Sequence, residues 1–545
     1  MESRLTTGAA LRVFIVVSLV IIAVFSLLPL IFTAIFSFRE NTGYRPHFFG
    51  SSNAGLNYYK ELFASYYLPR LLRNTAVLTL YPATVTAVVA FLLAMAVSHL
   101  PTRTLKTIGL MLLAVPSFVP LSHLSGIFEN LLSPSGGITK LLFTLGLLEE
   151  KQHLLAIKKN FVPIYIAFET LRYMFFPVLA GVIALDKRDT SKISASLKIA
   201  LAYILVRISM TFIGGNEMII SLYRPVTYEV SDTITSFIYR RGLLENDFGM
   251  SAAFEIFRFI AQLVINIGVF FGLKALFASR GNSLSKAEKT EPASHHSNPL
   301  IPVISIIAYI ILASGAIFVL ASLVFPRLIV EGSVLSFEGF KKIKDIGIYF
   351  FNSFIYAIPR AIIFASISFI LAYPLTTRSK SLWPPILIAL SAGSLTLMNY
   401  LVLNEIGLLN TVIGTILFSS FSCVGAVALA FGLRGKLSAT PALQEYACAA
   451  WRGTLVLFLL GFALSWGSTM YSFSPPSART MYPISIVLKE FVQFGGLGNS
   501  DLEVNYSLTS GIMLVSALPP LAAVWSALLL QKKLPAGLLS AGFRA

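Results

Sequence analysis

Apolar runs of twenty residues or more recur along the whole 545-residue chain, and nothing else in it constrains the fold as strongly. A helix needs about 20 mainly apolar residues to cross the hydrocarbon of a bilayer. By that ruler spans are predicted at 13–38, 74–99, 107–131, 162–185, 197–222 and 251–278, and again at 300–325, 352–375, 382–403, 411–433, 452–473 and 508–531. Charged residues make up 12% of the chain, against about 25% in a soluble domain. The fold class expected is all-α: a polytopic membrane protein of about twelve transmembrane helices in two similar six-helix bundles. Residues 279–299 separate the two series and are too polar to bury a core, so they read as a linker between halves at 1–278 and 300–545.

The formal net charge is +17. In a membrane chain such an excess points to loops held by anionic headgroups, and nucleic acid is not an expected partner. Cations in the short loops (Arg103, Lys106, Arg378, Lys380) and in the linker fall on the side that also carries both termini, which that rule makes cytoplasmic. The apolar run from Val13 to Phe38 is far too long for a signal-peptide core and is read as an uncleaved first span. Two cysteines, Cys423 and Cys448, offer no disulfide framework.

No enzyme signature is present. The chain lacks Gly-x4-Gly-Lys-Ser/Thr, His-Glu-x-x-His and Gly-x-Ser-x-Gly, and its six histidines, including the linker pair His295-His296, show no ligand spacing. No catalytic residue, metal or cofactor is therefore expected, and any ATP hydrolysis belongs to another polypeptide. Ionisable residues inside spans say more, because a charge in lipid costs several kcal/mol and turns to a partner or to water. Glu169 and Arg172 lie three apart in the fourth span, Glu255 and Arg258 three apart in the sixth, so each couple shares a helix face. Arg207 lies deep in the fifth span and Glu217 near its end; Gln262 and Asn266 continue the polar face of the sixth, and in the second half Asn399 lies in the ninth and Glu405 just past its end. As a group they are candidates for a polar solute pathway; pairing between helices that merely fixes the bundle is the competing reading. Pro116, Pro120, Pro177 and Pro374 mark kinks.

The halves echo one another. Each second span opens on Asn and a hydroxyl residue, Asn74-Thr75 and Asn352-Ser353, and each ends in a short basic loop, PTRTLK at 101–106 and LTTRSK at 375–380. The segment Tyr223-Arg224-Pro225-Val226-Thr227-Tyr228-Glu229-Val230-Ser231-Asp232, continuing to Tyr239-Arg240-Arg241-Gly242-Leu243, resembles carbohydrate ABC importer permeases of the polygalacturonan and oligosaccharide type. Leu56-Asn57-Tyr58-Tyr59, Asn74-Thr75 and Leu132-Ser133-Pro134-Ser135-Gly136-Gly137-Ile138 are similar to the same family, in order. The second half resembles the maltose-type partner permease at Asn352-Ser353, Ala372-Tyr373-Pro374-Leu375, Gly407-Leu408-Leu409-Asn410-Thr411 and Tyr482-Pro483. The resemblance implies two fused permeases, a pair of separate ATPase subunits, an extracytoplasmic solute-binding lipoprotein meeting the long outer segments, and residence in a bacterial cytoplasmic membrane.

One departure stands against these agreements. Such permeases carry a cytoplasmic Glu-Ala-Ala loop whose short helix docks on the ATPase. Here the second half reads Leu443-Gln444-Glu445-Tyr446-Ala447-Cys448-Ala449-Ala450-Trp451-Arg452-Gly453 and runs directly into the next span, and the first half has only Asp186 to Ser196. By resemblance Asp189, Ser191, Glu445, Ala447 and Gly453 are what remains of the coupling elements. A secondary transporter of major-facilitator type and a permease-derived protein that no longer engages an ATPase are the rival expectations.

Overall fold

The computed structural model describes residues 2–40, 51–185, 192–212, 216–222, 224–278, 300–377, 382–393, 396–419, 421–433, 437–438, 441–468, 479–494 and 506–531. The linker 279–299, the coupling candidates Asp189 and Ser191, and Tyr223 lie outside them. The chain is an all-α polytopic membrane protein, with no strand among the described residues.

Among the described residues six helices are long and apolar enough to cross a membrane unbroken: Gly8–Phe36, Tyr67–Ser98, Phe248–Phe277, Ile346–Thr376, Leu443–Gly467 and Tyr506–Leu530. Each coincides with an expected span. The other six expected spans are interrupted. Three are bent pairs: Arg103–Phe118 with Leu121–Leu131 at 82°, Lys158–Tyr173 with Phe175–Leu185 at 50°, and Val303–Leu312 with Ser314–Val324 at 61°. Counting each bent pair as one span gives nine. The rest are covered by shorter helices: Lys192–Ile208 and Asn216–Leu222, Trp383–Ala392 and Thr396–Glu405, Val412–Ser419 and Val424–Leu433. The third and fourth spans are thus broken in both halves. Pro116, Pro120 and the left-handed Gly393 (φ +59°) account for two of the interruptions. The connections at 51–66, 132–157, 224–247, 325–345 and 479–494 gather at what we call the long-loop end.

Close approach in the bundle comes from small residues. Ala83, Ala87, Ala90 and Ala94 recur every three or four positions along Tyr67–Ser98, all buried. Against this stripe lies Phe175–Leu185. A Cβ on Gly181 would stand 2.6 Å from that of Ala94, the tight small-residue packing that membrane helices use in place of hydrophobic collapse. In the second half Gly461 plays this part: its Cβ would stand 2.9 Å from the Phe364 ring.

The halves exchange their first helices. Glu2–Ile22 packs on Ile346–Thr376, where Phe14 meets Tyr373 edge-on at 4.9 Å. Reciprocally, Leu300–Leu312 packs on Tyr67–Ser98, and Tyr309 donates its hydroxyl to the Gly109 carbonyl at 2.9 Å. Sixth helices cross over as well: Phe248–Ala278 lies against Trp383–Ala392, and Tyr506–Gln531 against Arg103–Phe118. One apolar cluster accordingly draws on both halves.

The paired Asn-hydroxyl motifs do the same work in each half. Asn74 donates from Nδ2 to the carbonyls of Glu229 (2.9 Å) and Asp232 (3.0 Å), and Thr75 Oγ1 accepts from the Ile234 amide at 3.2 Å. Asn352 donates to the carbonyls of Thr480 (2.7 Å) and Tyr482 (3.1 Å), and Ser353 Oγ accepts from the Ile484 amide at 2.9 Å. Ile234 and Ile484 each begin a helix, Ile234–Tyr239 and Ile484–Phe494. The motif is therefore a clamp: the amide satisfies loop carbonyls, and the hydroxyl satisfies the first orphan N–H of the helix that follows.

Asn74 is buried, whereas Asn352 reaches one solvated carbonyl. Leaving a buried acceptor unpaired costs about 1–3 kcal/mol. Asn74→Ala is expected to lower the thermal unfolding midpoint of the purified protein clearly more than Asn352→Ala; equal shifts would contradict the clamp.

Candidate functional site

Two of the arginines predicted inside spans, Arg172 and Arg258, together with the amides Gln262 and Asn266, turn out to meet helix interruptions. In hydrocarbon an interrupted helix leaves N–H and C=O groups that water cannot reach, so protein atoms must satisfy them. Arg172 donates to the carbonyls of Pro116 (3.1 Å) and Val119 (2.6 Å), which lie at the 82° bend. Arg258 donates from Nη1 to Phe212 O at 3.0 Å, where Lys192–Ile208 has ended, and from Nη2 to Ala392 O at 2.9 Å, where Trp383–Ala392 ends. Gln262 accepts from the Phe212 amide (3.0 Å), donates to Ser209 O (2.9 Å) and holds Asn266 Oδ1 (2.9 Å); Asn266 in turn donates to Ser391 Oγ at 2.9 Å. The stripe at 255, 258, 262 and 266 is one face of the sixth helix, and it fills the gaps in two neighbours, one from each half.

Glu255 pairs with Arg258 at 3.0 Å, three residues apart as expected. Glu169 does not pair with Arg172. Its carboxylate takes Arg207 instead, with both side chains buried, while the Arg207 guanidinium lies 4.4 Å from the Tyr173 ring centroid. Physically, Arg172 is drawn away by carbonyls that have no other donor, and a charge from the neighbouring helix replaces the local one. Thr86 joins the same region through Thr170 at 3.1 Å. A small cavity opens beside the pair, lined by Arg207, Tyr165 and the hydroxyls of Thr75, Thr79, Thr233 and Thr235. It is walled by helices of the first half alone.

Glu217 accepts from Ser468 Oγ at 3.1 Å, bridging the halves near the long-loop end. Asn399 is half-buried and Glu405 exposed on Thr396–Glu405, a helix packed against Leu28–Phe36 and Phe248–Ala278 rather than beside the Glu169–Arg207 pair. Glu445, Ala447 and Gly453 stand in the first turns of the continuous helix Leu443–Gly467, at the end opposite the long loops. Glu445 accepts from the Ser438 amide and hydroxyl, both at 3.0 Å.

Several further buried polar groups show no helical or ligand spacing. His123, three residues beyond Pro120, is fully buried and bonds through Nε2 to Met513 O and Ser516 Oγ, both at 2.8 Å, tying the bend of the third span to the last helix of the other half. Its signal was there in the chain: a polar ring directly after a proline break inside an apolar run. At the long-loop end Glu129, Arg224 and His153 converge, with Arg224 Nη2 2.9 Å from His153 Nε2 and Glu129 3.2 Å from it. Asp232 is held by Arg240 and by Ser236 (2.7 Å), and burial pushes its carboxyl above the ordinary range against the pull of Arg240. Among the described residues no three His, Cys, Asp or Glu side chains gather as a metal site.

Neither a family model nor a curated protein matches the chain. Among solved structures it is similar to a chain of a bacterial alginate ABC transporter in complex with an alginate pentasaccharide-bound periplasmic protein, at 24% identity over 40% of this chain and 81% of that one, with a TM-score of 0.36. It is also similar to a chain of a bacterial ABC transporter involved in the import of the acidic polysaccharide alginate, at 24% identity over 41% and 83%, with a TM-score of 0.37.

If Arg258 works by satisfying interruptions, Arg258→Leu strands Glu255 and two carbonyls and should cost about 3–5 kcal/mol. The double variant Glu255→Leu with Arg258→Leu removes the stranded charge and should recover part of that loss in thermal unfolding. A double-mutant cycle between Glu169 and Arg207 should show coupling, and one between Glu169 and Arg172 close to none.

Proposed function

We propose that the chain is the membrane permease of an ABC-type importer for a carbohydrate or related polar solute, with two permease halves, 1–278 and 300–545, fused through the linker 279–299. The observation that carries this reading is the clamp. Asn74-Thr75 and the segment Tyr228-Glu229-Val230-Ser231-Asp232, two stretches that resemble carbohydrate permeases at separate places in the sequence, meet each other in space. The second half repeats that arrangement with Asn352-Ser353 and the segment before Ile484. Reciprocal exchange of the first helices supports it further, because two similar bundles enclosing one another can form a pathway at their interface.

In this reading solute reaches the long-loop end from an extracytoplasmic binding lipoprotein, and two separate ATPase subunits drive alternating access from the other end. The long-loop end then faces outward, the termini are cytoplasmic and the membrane is a bacterial inner membrane. Glu169, Arg207 and Glu217 are the candidate pathway residues; Arg172, Glu255 and Arg258 hold the helix breaks around it. Coupling falls to the first turns of Leu443–Gly467, which expose Leu443, Glu445, Cys448, Trp451 and Arg452.

The test is affinity purification of the full chain from native membrane, followed by uptake in proteoliposomes. An ATPase subunit and a binding lipoprotein should co-purify, uptake should require ATP on the face of the termini, and a bifunctional thiol reagent should cross-link exposed Cys448 to the ATPase. Uptake driven by an ion gradient without ATPase would replace this reading with a secondary transporter. Recovery of neither partner, with no uptake, would leave a membrane scaffold.

A further inference from the structure

The short helix Gly137–Thr144 at the long-loop end is built the wrong way round for water. Its polar Thr139 is fully buried, while Ile138, Leu141, Phe143, Leu145 and Leu147 in and just after it are 39%, 58%, 40%, 62% and 68% exposed. A helix facing solvent turns its apolar stripe inward. This rotation is not slack, because both ends are fixed. At the start, a Cβ on Gly136 would fall 2.2 Å from the Leu131 carbonyl oxygen, so the chain enters the helix at a place only glycine fits. At the finish, Gly146 has φ +72°, its amide donates to Phe143 O at 3.0 Å, and the Leu147 amide donates to Leu142 O at 2.9 Å. That pair of bonds is the Schellman stop.

The apolar strip does not end with the helix. Lys140 forms an ion pair with Glu331, beside the turn Pro326–Leu328 that closes the helix Ser314–Val324. There Val324, Phe325 and Leu328 are exposed, so the strip adjoins the end of a helix that forms part of a membrane span. Its cations are Lys140 and Lys151, the latter with Nζ 5.0 Å from the Phe143 ring centroid. Lysines that lay their stems along apolar surface and keep their heads at its rim suit a headgroup layer. Taking five large apolar side chains out of water together supplies ample drive.

We propose that Gly137–Thr144 and the turn after it are seated in the bilayer–water interface at the long-loop end, with Ile138, Leu141, Phe143, Leu145 and Leu147 at the boundary of headgroups and acyl chains. The occupant of this surface is lipid. Continuity with a span end favours lipid over a docked protein, with Lys140, Lys151, Glu149 and Glu150 at the strip's polar rim, and it does so whether or not the chain is an importer.

The test uses the full chain carrying Cys448→Ser, which leaves only buried Cys423 as native thiol. A nitroxide is attached through Leu145→Cys or, as a control, Glu149→Cys, and the protein is reconstituted in vesicles of phosphatidylcholine with phosphatidylglycerol. Power-saturation spectroscopy should find the Leu145 label several-fold more accessible to oxygen, relative to a nickel chelate, than the Glu149 label. Equal nickel accessibility would place the strip in water, and a label immobilised and reached by neither reagent would place it under protein; either result overturns the proposal. Leu141→Trp gives an independent reading. Its added fluorescence, over the four native tryptophans, should be quenched by lipids brominated high on the acyl chain, and absence of extra quenching would likewise overturn the proposal.

Discussion

A helix that stops inside a membrane leaves backbone groups that cannot turn to water, and much of this structure is an answer to that one constraint. Six of the twelve expected spans stop or bend. The polar residues that look anomalous in an apolar sequence are largely the partners of the groups so released. Arg172 closes the bend of the third span, and Arg258, Gln262 and Asn266 close gaps in the fifth and ninth. A guanidinium suits this task because it offers several donors in a fixed plane and stays charged. Arg258 uses this to serve carbonyls from two different helices and a carboxylate at once.

The separation of structural from functional charge follows from the same argument. Arg172, Glu255 and Arg258 are engaged by atoms that have no alternative, so changing them must first damage the fold. Glu169 and Arg207 are different. They neutralise one another, and Arg207 borders a small cavity whose other polar walls are threonine and tyrosine side chains. A buried ion pair is weak evidence for stability in its own right, and that makes this pair the better candidate for work on a polar solute.

Hydropathy made the span positions legible, because twenty-residue apolar runs have few other fates, and the Asn-hydroxyl echoes at 74 and 352 correctly pointed to one device used twice. The interruptions were harder to read. Pro116 and Pro120 announced one bend, but the break at Ala313 carries no proline and is invisible to a sliding window that sums composition without regard to hydrogen bonding. Glu169 shows the second limit. Helical spacing identifies Arg172 as its neighbour, and the neighbour is real, yet the carbonyls at 116 and 119 compete for that guanidinium from a helix whose placement local sequence does not encode. His123 was passed over because ligand spacing was the criterion applied, whereas its task is to tie two backbones together.

Four of the polar ties between the halves share a chemistry. Arg258 to Ala392 O, His123 to Met513 O, Tyr309 to Gly109 O and the Trp525 indole to Met111 O (3.2 Å) all run from a side chain of one half to a main-chain carbonyl of the other. All four fall on the third span of one half or the other, the span interrupted in both. A carbonyl has two lone pairs and a broad acceptance direction, so each of these ties tolerates rotation, while glycine seams hold the backbones close both within a half, Ala94 against Gly181, and between the halves, Leu171 against Gly315 and Leu397 against Gly242.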